Sequence, residues 1–233
     1  MNVVLDILTY GFRGHGKYIL IIGAILSIMA DIAAFAPIIG VIATFLFTGF
    51  FCAMYFDIIE TTAGGSEEVP GFPDITSVVG DILVPFLKVG LVILVSFSPL
   101  LGYIIFGDPF AGGGSIEDDE FELASPGIFY GLIGFGILYF PMALLGVVIL
   151  GTVTAMSPHI VVPAIFRGGL HYLLAIIIMV LVFVFQVIIS DSLIEMPIVQ
   201  SLIMAVVGIY AFLTHGRALG IVYRDREEQL GWL

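Results

Sequence analysis

Charge is what this sequence has least of. Only 11% of its 233 residues are Asp, Glu, Lys or Arg, and just seven of those are basic. A soluble domain carries about 25% charged residues and about half apolar ones. Here the hydrophobic share is 60% and the mean hydropathy is +1.19. No single soluble core hides that much apolar surface, so the class is a polytopic membrane protein. The scarcity of Lys and Arg, with a net charge of −12, excludes nucleic acid as a partner, because phosphate contacts need clustered cations. There is one cysteine, Cys52, so an intramolecular disulfide is excluded.

Catalytic signatures are absent too. The chain has no GxSxG, no P-loop and no GxGxxG opening a helix after a strand, and each of those chemistries needs its motif. The four histidines, His15, His159, His171 and His215, show neither HxxxH nor HExxH spacing. They read as interfacial residues at span ends rather than as a metal or pH-sensing centre. The sequence therefore reads as a non-enzyme with no cofactor and no metal. A cleavable leader is not expected either: the first apolar run meets Asp31 rather than a small-residue cleavage site.

What the chain does have is long apolar runs. Six reach or approach the ~20 residues that cross a hydrocarbon core. They cover about Tyr18–Phe35, Pro37–Ile59, Pro85–Phe106, Ile128–Ala155, Leu170–Ser190 and Pro197–Thr214. Their length favours helices over the short alternating segments of a barrel. The expected fold is all-α: six transmembrane helices in one membrane domain spanning residues 1–233. The basic residues orient it. With the N-terminus inside, Arg13, Lys17, Arg167, Arg217, Arg224 and Arg226 all fall inside, and Lys88 snorkels to that side. The outer loop 107–125 instead holds Asp108, Glu117, Asp118, Asp119, Glu120 and Glu122. The expected location is the cell inner (plasma) membrane, multi-pass, with both termini cytoplasmic.

Before each odd-numbered span lies a shorter amphipathic stretch. In VVLDILTYGF, Val3, Val4, Ile7 and Leu8 share one face, with Asp6 and Thr9 opposite. In PDITSVVGDILV, Ile75, Val78, Val79 and Ile82 share a face, and Asp74 is a candidate N-cap. SPHIVVPAIF is the third. Such segments read as helices lying in the membrane interface. They lead into FRGHGKY, FLKVGLV and FRGGLHY, where Phe12, Phe86 and Phe166 precede a cation and a glycine. One reading is a threefold repeat of helical hairpins over 1–60, 74–157 and 158–226. The other is that any junction at a membrane surface selects a cation, a glycine and an aromatic residue. On either reading Arg13, Lys17, Arg167 and Arg217 are candidates for an interfacial hinge and for lipid-phosphate contacts.

The second half adds Pro163, Arg167 and Tyr172 at the start of the fifth span, RALGIVY (Arg217 to Tyr223) and the closing Gly231–Trp232; the first half adds AGG (Ala63 to Gly65) leading into EVPGFPD. With these the chain resembles a family of prokaryotic membrane proteins catalogued as domain of unknown function 4013, and more distantly Yip1-like proteins of membrane traffic. The resemblance implies a multi-span helical membrane protein and no particular chemistry.

Intramembrane candidates are few. Asp31 lies deepest in an apolar run and is either a cation or proton site, or a residue one turn from the outer surface that reaches water. Lys88 poses the same choice. Asp57 and Glu60 are either solvated or paired with Arg13, Arg167 or Arg217. Gly131, Gly134, Gly136 and the GxxxG of Gly216 and Gly220 allow close helix approach, within the bundle or between chains. Two functions fit. The first is a non-enzymatic membrane scaffold or assembly subunit whose partners are lipids and copies of itself or other membrane subunits. The second is a transporter or channel component for a small cation or other solute.

Overall fold

Proline opens most of the helices, and glycine closes several. A computed structural model describes residues 3–33, 36–73, 75–107 and 125–232, without the side chains of Asp31, Pro37 and Ile39. Its helices are α1 (Val3–Thr9), α2 (Gly16–Ala33), α3 (Pro37–Ala63), α4 (Val84–Ser96), α5 (Ser98–Phe106), α6 (Pro126–Leu150), α7 (Pro158–Ser192) and α8 (Pro197–Leu230). From α3 onward each carries a proline in its first turn. There the missing N–H costs nothing and the fixed φ is already helical. Gly64, Gly151 and Gly231 cap α3, α6 and α8. No strand occurs among the described residues.

Five helical stretches are long and apolar enough to cross a membrane, or six if the bent pair Val3–Phe12 and Gly16–Ala30 counts as one. The third expected span differs from the sequence reading. It begins in a π-helical turn, Val78–Leu83, runs into α4 and breaks at Phe97 before α5. Pro99 explains the break, because it has no N–H to offer the Val95 carbonyl and its ring crowds it; the Ser98 hydroxyl donates to that carbonyl instead, at 2.8 Å. The Ser77 hydroxyl accepts from the Gly80 N–H, and the Asp81 carboxylate accepts from the Thr76 and Ser77 N–H groups. Those reciprocal bonds satisfy donors that open a helix. The fourth expected span ends at Leu150, followed by a 3-10 turn over Val153–Met156. The sixth continues sixteen residues beyond Thr214, as one helix to Leu230.

Two of the three basic junctions are bends. Between α1 and α2 the chain turns by 61°, with Gly14 at φ 47°. Inside α7, Gly169 takes φ 52° and ψ −134° and splits the helix at FRGGLHY. Side chains other than glycine avoid that region. FLKVGLV, by contrast, lies within α4 with no such break.

α8 is the spine. It packs along α7, α3 and α2, while α6 joins α4 and α7. One apolar core joins Met142, Leu144 and Leu145 of α6 to Tyr172 and Ile176 of α7 and Leu219 and Val222 of α8. A second joins Tyr10, Ile19, Met54, Ile58 and Leu213. The outward face of α7 leaves Leu181, Phe183 and Ile188 exposed, which suits lipid and not water.

The candidate packing glycines divide. Gly216 and Gly220 face α3 in the same chain: a Cβ on Gly216 would lie 2.7 Å from Ile58, and one on Gly220 would run into Thr62 and lie 2.9 Å from the Ile59 carbonyl. Gly131 and Gly134 have open space where a Cβ would point, whereas Gly136 meets Phe97. The seam-forming glycine of α6 is therefore Gly136. Gly220→Val should lower the unfolding free energy by about 1–3 kcal/mol through overpacking. Gly131→Ala should be neutral or raise it by about 0.5–1 kcal/mol. Denaturant titration of the two variants in detergent checks this, and equal losses would contradict the seam.

Candidate functional site

The most buried cation of the chain lies at the end of the bundle that carries both termini. Arg217 is 1% exposed. α8 brings it there because Gly216 and Gly220 on either side let α8 press against α3. A charge taken out of water costs several kcal/mol unless partners surround it, and here they do. Arg217 Nε and Nη2 donate to Asp6 Oδ2 at 3.1 and 2.9 Å. Nη1 donates to the Ser66 carbonyl at 2.5 Å and to Thr62 Oγ1 at 3.4 Å. The guanidinium lies over the Tyr10 ring, 4.8 Å from its centroid, a cation–π contact.

Asp6 is shared. Its other oxygen accepts from Arg13 Nη1 at 2.5 Å, while Arg13 Nη2 donates to Thr9 Oγ1 at 2.7 Å. Two further bonds hold the same segment: Tyr210 Oη donates to the Leu8 carbonyl at 2.9 Å, and Tyr10 Oη to that of Glu68 at 3.3 Å. A seven-residue helix has little stability of its own. α1 is held by Asp6, by these tyrosines and by burial of Ile7.

The other expected residues are placed as follows. Arg217 pairs with Asp6 and not with Asp57 or Glu60, and it faces the interior rather than a lipid surface. Arg167 Nη1 donates to the Leu230 carbonyl at 3.2 Å. Lys88 Nζ donates to the Gly151 carbonyl at 3.0 Å and lies 5.9 Å from the Phe56 ring. Lys17 is exposed in the first turn of α2. Arg226 meets His171 Nδ1. Asp31 belongs to α2, but its side chain lies outside the described residues, as do Asp74 and the acidic residues from Asp108 to Glu122. Among the described residues no three of His, Cys, Asp and Glu come together to hold a metal.

A second feature lies in the bundle. A cavity of about 360 Å³ opens between α3, α4, α6 and α8, with His215 at its edge. The imidazole Nε2 is buried and has no hydrogen-bond partner among the described residues. Sequence reasoning missed both features. It put Asp6 on the polar face of α1 and His215 at a span end. Only the helix seam set by Gly216 and Gly220 shows what they meet.

No family model, curated protein or solved structure matches the chain.

Asp6→Ala strands the Arg217 charge and should cost about 3–5 kcal/mol. Adding Arg217→Met should restore much of that loss, since no unpaired charge then remains. Arg13→Ala should cost less, because the Arg13 side chain is 26% exposed. Unfolding midpoints of the three variants in one detergent decide it. A double variant no better than Asp6→Ala would show that the pair is not what holds α1.

Proposed function

We propose that the protein is a non-enzymatic integral membrane scaffold, with both termini on the cytoplasmic side of the inner (plasma) membrane. The observation that carries this is the ion cluster that fixes α1 across the foot of the bundle. The held helix leaves Leu5 and Phe12 exposed beside Arg13 and Lys17. Apolar side chains next to cations suit the interface between acyl chains and anionic headgroups. The segment of α7 before Gly169 adds exposed Phe166 and Arg167 at its junction. Two elements of this kind would let the protein spread on one leaflet while its spans anchor it. Partners are then lipids, further copies of the chain, or other membrane subunits.

A second reading, a transporter or channel component, draws support from the cavity in the bundle. Two measurements separate the readings. The scaffold predicts a detergent-extracted particle of several times the 25.1 kDa chain mass by light scattering. It also predicts that proteoliposomes carry no more cation flux than empty vesicles. Flux that disappears in Asp31→Leu would replace the scaffold with the transporter.

A further inference from the structure

The cavity between α3, α4, α6 and α8 is built more like a ligand site than like a packing defect. Its volume, about 360 Å³, lies within the roughly 300–1,000 Å³ of small-molecule pockets. Phe51, Phe140 and Phe212 supply apolar walls. Phe212 is braced by Phe51 at 5.9 Å and Tyr55 at 5.0 Å between ring centroids. Gly208 lies in the lining, and a Cβ added to it would meet nothing within 4 Å. A side chain at residue 208 therefore has open space to occupy beside the cavity.

The polar groups are few. Thr48, Cys52, Tyr55 and His215 reach the lining, and none of the described lining residues is charged. A charged ligand would have no counter-ion there, and burying it would cost several kcal/mol. A wholly apolar one would leave His215 Nε2 without a partner, which is also costly. A neutral imidazole with its proton on Nδ1 presents Nε2 as a bare acceptor, and the partner that Nε2 then lacks is a donor.

We propose that this cavity binds a neutral, lipid-soluble molecule with a hydroxyl on an apolar body, the hydroxyl donating to His215 Nε2. A long-chain alcohol and an alkylated phenol or quinol share that chemistry. Such a ligand would enter from the bilayer, where it concentrates. This inference does not depend on whether the protein is a scaffold or a transporter.

The test uses the full-length protein in detergent, with binding read from the rise in unfolding temperature as ligand is titrated. The probes are 4-octylphenol and 1-dodecanol, each against a partner lacking the donor: 4-octylanisole and dodecane. The phenol or the alcohol should bind about 5–10-fold more tightly than its partner, as one net hydrogen bond gives. Which of the two binds identifies the class. His215→Leu should remove that preference, and Gly208→Leu should remove the binding itself by filling the space. Equal affinity for each probe and its partner in the unmodified protein would overturn the proposal. So would a preference that survives His215→Leu. If Gly208→Leu does not fold, the His215 variant alone still decides.

Discussion

A buried guanidinium needs its partners, and in this protein the need of Arg217 organises one end of the molecule. Arg217 is held in an apolar seam between α3 and α8, where water cannot solvate it. Asp6, the Ser66 carbonyl, Thr62 and the Tyr10 ring replace that water. Those groups come from two stretches, the N-terminal helix and turn and the end of α3 with the loop after it, and Arg217 itself brings in α8 as a third. One charge therefore fixes three parts of the chain relative to each other. Hydrophobic packing alone would be less selective, since one apolar face slides on another at little cost.

The glycine pattern explains how that charge comes to be buried at all. Gly216 and Gly220 bracket Arg217 and let α8 approach α3 closely. A larger residue at either site would push the helices apart and let water or lipid headgroups reach the guanidinium. The small residues and the ion pair thus support each other: the seam excludes water, and exclusion of water strengthens the pair.

Much of the architecture was legible in the letters because bilayer-scale physics is coarse. The apolar runs located the helices, and Pro37 and Pro197 marked where two of them begin, while α6 and α7 begin at Pro126 and Pro158, ahead of the expected Ile128 and Leu170. The bends at FRGHGKY and FRGGLHY fall where arginine and glycine adjoin an apolar run. The break at Phe97 was signalled only by Pro99, in a stretch whose hydropathy shows no gap. The extension of α8 to Leu230 was hidden because hydropathy falls after Thr214 while helix packing does not. The candidate site was the least legible part. Asp6 and Arg217 are 211 positions apart, and no local pattern links an acid on an amphipathic helix to a cation on the last one. His215 looks like any histidine at a span end until Gly208 and Phe212 place a cavity beside it.

The order of synthesis gives that long separation a kinetic meaning. Asp6 is made 211 positions before Arg217, so α2 to α7 are all synthesised before the two can meet. Until α8 arrives, α1 has the Arg13 pair within its own segment but lacks both Arg217 and the Tyr210 hydroxyl that bonds Leu8, and it has too few residues to persist alone. Before α8 is made Asp6 has one cation beside it, and in the finished protein it has two. The clasp therefore closes late: the contacts that hold α1 to the bundle form only when the helix carrying Arg217 packs against α3.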